Sequence, residues 1–156
     1  MLFLDVDGPL IPFRRRASER PGSGDEGGNP LLGRLDPEDG PRLLALGCPL
    51  VWATTWMAEA NEVIAPRLGL PALPVVEWPD EDDEPVRGLH WKTAGLSRWA
   101  GARPFVWLDD EITDVDRRWV AEHHPAPALL WRVDPGTGLT AADFAAVREW
   151  LGGGAA

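Results

Sequence analysis

The chain has 156 residues, of which 44 % are hydrophobic and 26 % charged, as in globular proteins. We therefore treat residues 1–156 as one domain. A net charge of −10 disfavours a protein that binds extended nucleic acid through a broad basic surface. No secretory leader and no apolar run of roughly 18 residues is present, and the single cysteine, Cys48, cannot form an internal disulfide. These features predict a cytoplasmic protein without a membrane span.

The sequence opens with an apolar strand that runs into two carboxylates one residue apart, Asp5 and Asp7, followed by Gly8. Ligands of open α/β sheets bind in the crevice beyond the carboxyl ends of the strands. Alternate residues of a strand project to the same side, so two ionised carboxylates there repel each other unless a cation lies between them. The pattern indicates either a metal or catalytic site or an ordinary turn at Asp7 and Gly8.

Residues 11–35 are rich in glycine, proline and charged side chains and show no helical or alternating apolar period. This composition predicts a long mobile loop, and loops of such length often act as lids or binding loops. A surface insertion without a role is the alternative. Within the segment, Arg14, Arg15 and Arg16 either hold an anionic group of a substrate or are a solvated charge run.

A helix is predicted over residues 36–47 and a second strand over residues 49–55. The second strand ends in two hydroxyls, Thr54 and Thr55, just before another helix. Hydroxyls and free backbone N–H groups at such a junction can bind phosphate, although threonine is also a common helix cap.

A helix over residues 57–68, a third strand over 73–78 and an acidic loop over 80–88 follow. We interpret the acidic loop as solvated carboxylates rather than a metal site. The next helix, residues 90–100, has Lys92 in its first turn, and this is the only lysine among 15 basic residues. A cation is unfavourable near a helix N-terminus, so we expect an anion close to Lys92.

The fourth predicted strand, residues 104–110, ends in Asp109 and Asp110, and Asp114 begins the helix after it. A fifth strand, residues 127–133, and a closing helix complete a regular alternation of strands and helices. This order predicts an α/β fold with a five-stranded, mainly parallel sheet and helices on both faces. The nine tryptophans lack the basic interleaving of a nucleic-acid platform, and we expect most of them in the core.

Right-handed crossovers would bring the ends of these strands to one edge of the sheet. Several carboxylates there could hold Mg²⁺ through oxygen ligands. Asp5 would then be free to attack phosphorus and form an aspartyl-phosphate, while Asp7 protonates the leaving oxygen and later activates water. Thr54 and Lys92 would hold the transferring phosphoryl oxygens.

This set resembles the four motifs of the haloacid dehalogenase-like (HAD) phosphatase superfamily. The motifs occur in the same order: DVDG at residues 5–8, an apolar strand ending at Thr54, Lys92, and DD(x)3D at Asp109, Asp110 and Asp114. The resemblance covers residues 2–114 and implies a Rossmann-like HAD fold. No insertion is long enough for a cap domain, so the chain is similar to the small capless bacterial stand-alone members, some of which are grouped with nucleic-acid repair systems.

The resemblance also implies a role for each matching residue. Asp5 would be the nucleophile and a metal ligand, and Asp7 the general acid and base and a ligand through its backbone carbonyl. Asp110 would bind the metal directly. Asp109 and Asp114 would be supporting ligands, and Thr54, rather than Thr55, would supply the phosphate-binding hydroxyl.

The sequence thus predicts a Mg²⁺-dependent phosphomonoester hydrolase that acts through an aspartyl-phosphate. It does not specify the chemical class of the phosphorylated substrate. One alternative is a phosphatase of nucleic-acid ends or nucleotides in a repair context, with residues 14–16 as a local clamp. Another is a catalytically silent module that binds phosphate or a protein partner, because a fold does not determine a function.

Overall fold

The computed structural model describes residues 1–14, 30–78 and 87–153. Its centre is a four-stranded, fully parallel sheet in the order β2-β1-β3-β4. In the register of the sheet, Phe3 lies between Val51 on one neighbouring strand and Trp107 on the other. The strands are β1 (Leu2–Leu4), β2 (Leu50–Trp52), β3 (Phe105–Asp109) and β4 (Ala128–Arg132).

The helices alternate with the strands along the chain, as predicted, except that no strand separates the helix at Ala65–Leu68 from the helix at Thr93–Ala100 within the described residues. The region predicted as one helix over residues 57–68 is irregular, since a π-helical segment at Ala60–Ile64 leads directly into a short α-helix. Pro66 lacks the N–H that a regular helix would need at this point, which accounts for the irregularity. The α-helices are α1 (Asp39–Leu44), α2 (Ala65–Leu68), α3 (Thr93–Ala100), α4 (Asp114–His123) and α5 (Ala141–Gly153).

The prediction of a fifth strand in the sheet was wrong, because residues 73–78 do not form a strand. This segment runs beside β2 and makes a single bridge, between Trp52 and Val75. Trp52 donates to the carbonyl of Pro74 and accepts from the N–H of Val76. Pro71 and Pro74 have no N–H to donate, so a continuous ladder cannot form.

The predicted loop over residues 11–35 lies largely outside the described residues, which omit 15–29. Its two described ends are structured. Ile11 forms a bridge with Asp7, and Pro30–Arg34 is a 3₁₀-helix that buries Leu32. The loop is therefore anchored on the core at both ends.

Two hydrophobic clusters cover the two faces of the sheet. Leu2 and Leu4 of β1 face the cluster that includes α1, α2 and α5, whereas Phe3 faces the cluster that includes α3 and α4. Alternate residues of a strand point to opposite faces, so burial on both faces explains the continuous apolar run of β1. Within the described residues, no helix combines the length and apolar character needed to cross a membrane.

All four strands point the same way, so their carboxyl ends lie at one edge of the sheet. Asp5 follows β1, Thr54 follows β2 by two residues, and Asp109 is the last residue of β3. The fold thus brings together side chains that are about fifty residues apart in the chain.

Candidate active site

Three carboxylates meet at the carboxyl edge of the sheet. One oxygen from each of Asp5, Asp109 and Asp110 lies within 4.8 Å of the others, and all three side chains are buried. Buried carboxylates are rare without a compensating partner. The cluster therefore needs positive charge.

Lys92 supplies part of this charge. Its Nζ lies 2.8 Å from Oδ2 of Asp109 and 3.3 Å from Oδ1 of Asp5, with the Lys92 side chain only 4 % exposed. The lysine occupies the N-cap position of α3, where the helix dipole opposes a cation. The anion expected beside it is present, in the form of two carboxylates from β1 and β3.

Burial raises the pKa of Asp5 to about 7, and the neighbouring charge of Asp109 adds to this shift, although the ammonium of Lys92 opposes it. Burial also raises the pKa of Asp110 to about 6, again with a contribution from Asp109. Without a further cation, the cluster is therefore partly protonated near neutral pH.

The donor set fits a divalent cation. Three ionised carboxylates and one ammonium sum to a charge of −2, and carboxylate oxygens are the ligands that Mg²⁺ prefers. A bound dication would also offset the repulsion that raises the two pKa values. Asp5, Asp109 and Asp110 are the side chains that would hold it.

Asp7 lies outside this cluster, and its side chain is exposed. Its Oδ2 accepts a hydrogen bond of 3.1 Å from the indole Nε1 of Trp56. The carboxylate of Asp7 is therefore oriented and open to solvent, while that of Asp5 is enclosed. Two acids that are two residues apart have different environments.

Of the two threonines after β2, Thr54 is fully buried and Thr55 is exposed. The Oγ1 of Thr54 accepts a hydrogen bond of 3.2 Å from the backbone N–H of Trp56. Accepting this bond leaves the hydroxyl proton for an incoming acceptor. Thr54 therefore makes the hydrogen bond expected of a helix cap and also lies at the carboxyl edge of the sheet.

Asp116, which the sequence did not single out, joins the two sides of the site. This fully buried carboxylate accepts hydrogen bonds of 2.8 Å from the backbone N–H of His90 and from the hydroxyl of Thr93, the residues that flank the Lys92 turn. Its other oxygen accepts a bond of 2.8 Å from the N–H of Thr113, in a capping box at the start of α4. The three-residue spacing from Thr113 to Asp116, which is typical of a capping box, is the sequence feature that could have identified Asp116.

An aromatic group borders the site beside Lys92. Trp91 packs edge-to-face with Trp78 at 4.8 Å between ring centroids, and the ring of His90 lies nearly parallel to it at 5.6 Å. Trp78 in turn donates its indole N–H to the backbone carbonyl of Thr54 at 3.2 Å. We name this group, Trp78, His90 and Trp91, the aromatic rim.

Other predicted site residues lie elsewhere or outside the described residues. The side chain of Asp114 is 86 % exposed, pairs with Arg117 at 2.9 Å and is not a member of the three-carboxylate cluster. Arg14 lies against Gly136, in the segment after β4. Arg15 and Arg16, and residues 80–86 of the acidic loop, lie outside the described residues.

A parallel sheet with aspartates after β1 and β3, a threonine after β2 and a lysine at the helix before β3 defines a HAD-like domain. The family model described as "HAD domain in Swiss Army Knife RNA repair proteins" matches residues 1–144, and the chain belongs to this family. No curated protein and no solved structure gave a match.

Proposed function

We propose that the protein is a Mg²⁺-dependent phosphomonoester hydrolase that removes terminal phosphate from RNA and acts through an aspartyl-phosphate on Asp5. The observation that carries this proposal is the enclosed position of Asp5 between Lys92 and the carboxylates of Asp109 and Asp110. A carboxylate so placed can attack a phosphoryl group whose oxygens are neutralised by Lys92 and by a bound Mg²⁺.

In the first step, a carboxylate oxygen of Asp5 attacks phosphorus and the ester oxygen leaves. We assign the attack to Oδ2, because Oδ1 accepts a 2.8 Å hydrogen bond from the N–H of Val6 and contacts Lys92. These two donors fix the orientation of the nucleophile before the substrate arrives. The attacking form is the ionised carboxylate, which a bound dication favours.

Asp7 is the proposed proton donor to the leaving oxygen, because its carboxylate lies two residues beyond the nucleophile and is open to solvent. The indole of Trp56 orients it through the 3.1 Å hydrogen bond. In the second step Asp7 takes a proton from water, and the resulting hydroxide attacks phosphorus and releases Asp5. Phosphate leaves and the starting carboxylate is restored.

Lys92 and the hydroxyl of Thr54 would hold the equatorial oxygens during transfer, the lysine by charge and the threonine by a hydrogen bond. Asp5, Asp109 and Asp110 would hold Mg²⁺, which would supply positive charge to stabilise the transferring phosphoryl group. The buried Lys92 is already positioned by its two carboxylate contacts, so little reorganisation is needed.

Membership in a family named for RNA repair proteins supports an RNA end as the substrate. The net charge of −10 supports recognition of an end rather than of a long backbone, because each bound phosphate must be matched by a cation. We place this activity in the cytoplasm, where RNA is available and a lone cysteine stays reduced.

The test is phosphate release from short oligoribonucleotides with 5′- or 3′-terminal phosphate, compared with nucleotides, sugar phosphates and an aryl phosphate. Each substrate is assayed with Mg²⁺ and with EDTA, and Asp5→Asn is the inactive control. We expect Mg²⁺-dependent release from at least one RNA end. Equal release by Asp5→Asn, or no release from either RNA end, would overturn the proposal.

A further inference from the structure

We infer that Trp91 forms a subsite for a nucleobase, on which the unpaired base next to the scissile phosphate stacks. This inference rests on the proposed function and names the part of the substrate that gives specificity. The ligand class is a nucleotide at a single-stranded end, rather than a sugar phosphate or a phosphorylated protein.

The first support is the position of Trp91. It is 53 % exposed, although it directly precedes Lys92, which is 3 % exposed. The Nζ of Lys92 lies 5.5 Å from the centroid of the Trp91 ring. An open aromatic surface therefore borders the ammonium that is proposed to hold the phosphoryl oxygens.

The second support is the contrast with the other tryptophans. All nine lie in the described residues, and eight of them are buried or half-buried. Trp91 is the one exposed tryptophan among them. Its exposure beside Lys92, in the turn before α3, distinguishes Trp91 from the other tryptophans.

The third support is that the exposed ring is held in place. Trp78 contacts it edge-to-face and the ring of His90 lies at 27° to it, so two neighbours restrain its orientation. His90 is restrained in turn, since its Nδ1 accepts the N–H of Lys92 and its Nε2 lies 3.0 Å from Glu111. A restrained ring loses little conformational entropy when a base stacks on it.

The charge of the chain favours this mode of recognition. A chain with a net charge of −10 repels a polyanion, whereas stacking of a base on an aromatic ring does not depend on net charge. A base within a duplex is paired and stacked on its neighbours, so an open end offers a free face at lower cost. One phosphate at Lys92 and one base at Trp91 would together define the end of a single strand.

The kinetic test uses a phosphorylated tetraribonucleotide and the same oligomer with an abasic residue at the phosphorylated end. For each enzyme we take the ratio of kcat/KM on the intact oligomer to kcat/KM on the abasic one. Removal of one stacked aromatic typically weakens binding of a base by roughly 5- to 150-fold. We expect Trp91→Ala to lower the ratio by about this factor. Trp91→Phe, which keeps an aromatic ring, should restore most of it.

Trp119→Ala is the matched control, because Trp119 is a half-buried tryptophan on α4 that stacks on His123. Its ratio should equal that of the unaltered protein. Far-ultraviolet circular dichroism and melting temperature of each variant show whether it is folded. The subsite is overturned if Trp91→Ala keeps the original ratio, or if the unaltered protein does not prefer the intact oligomer.

A binding measurement separates this inference from the proposed hydrolysis. Fluorescence anisotropy of the two labelled oligomers with the Asp5→Asn protein, and with Asp5→Asn combined with Trp91→Ala, needs no turnover. Base-dependent binding by Asp5→Asn, together with no phosphate release by the unaltered protein, would overturn the hydrolase and keep the subsite. Phosphate release with base-independent binding and kinetics would keep the hydrolase and overturn the subsite, and the absence of both binding and release would overturn both.

Discussion

The backbone of Gly8 lies against the side chain of Asp110, so closely that a β-carbon built at Gly8 would be 2.7 Å from Cγ of Asp110. Gly8 also has a φ of +99°, a backbone conformation that residues other than glycine rarely adopt. The turn after β1 and the end of β3 are therefore in direct contact through a residue without a side chain. This contact holds the turn that follows Asp5 beside the carboxylate of Asp110.

Gly8→Ala should lower the free energy of unfolding by about 1–3 kcal/mol, from a strained φ and from displacement of Asp110. It should also reduce stabilisation by Mg²⁺. Gly47→Ala is the control, since Gly47 has a φ of +71° but no atom within 4 Å of its β-carbon position. Urea unfolding with and without Mg²⁺ measures both effects. An unaltered Mg²⁺ response in Gly8→Ala would show that the contact does not shape the metal site.

Mg²⁺ and pH should affect stability together. The pKa values of Asp5 and Asp110 are raised to about 7 and about 6 from an ordinary value of 3.8, so the folded state holds protons that the unfolded state releases. Stability without metal should therefore fall as pH rises from about 4 to about 7. Mg²⁺ should restore it, with a larger effect at pH 8 than at pH 5, because the ionised cluster binds the dication.

Melting temperatures measured in EDTA and in excess Mg²⁺ across this pH range provide the check. Asp5→Asn is the comparison, since its amide neither titrates nor carries charge and should remove the part of the pH dependence that Asp5 contributes. Equal melting temperatures in EDTA and Mg²⁺ at pH 8 would count against the metal site.

Lys92→Arg should lower kcat at least about tenfold, because a single charge-stabilising donor in such a site contributes roughly 10²- to 10³-fold. The compact ammonium fits between Asp5 and Asp109, whereas a wider planar guanidinium would displace one of them. Lys92→Met should lose more. Steady-state kinetics with Mg²⁺ measure the effect, and Arg98→Lys, on the exposed face of α3, is the control. Unaltered turnover in Lys92→Arg would show that Lys92 has a structural role and not a catalytic one.

Asp5→Asn should abolish turnover without unfolding the protein in Mg²⁺, because the amide is nearly isosteric but a far poorer nucleophile. The readouts are phosphate release and formation of a phosphorylated protein after acid quench. The unaltered protein should give an acid-stable but base-labile phosphoprotein, and the variant should give none. Label retained on the variant would assign the nucleophile to another residue.

Asp116→Asn should lower the free energy of unfolding by about 2–4 kcal/mol, since one amide cannot accept all the hydrogen bonds that converge on this buried carboxylate. It should also lower kcat, because the turn that carries Lys92 loses its anchor. Asp114→Asn, two residues earlier on α4 and exposed, should change stability by less than about 0.5 kcal/mol. If Asp114→Asn weakened Mg²⁺ binding, Asp114 would be a supporting ligand after all.

The order of the elements and the residues at the strand ends could be predicted from the sequence. Apolar runs that end in Asp5 and Asp109 indicate buried parallel strands, and these strands place both residues at one edge whatever the details of packing. The helix dipole alone predicts an anion near Lys92. The resemblance of the four motifs to the HAD superfamily implied a HAD-like fold, and the family match confirmed it.

Only the tertiary structure decided which side chains are enclosed. Asp5 and Asp7 read alike in the sequence, yet packing encloses the first and leaves the second open to solvent. In the same way, Trp91 is exposed because its neighbours Trp78 and His90 cover only part of it. Exposure depends on which distant segments pack against a residue, and hydrophobic patterning constrains which face of an element is buried but not the depth of each side chain within it.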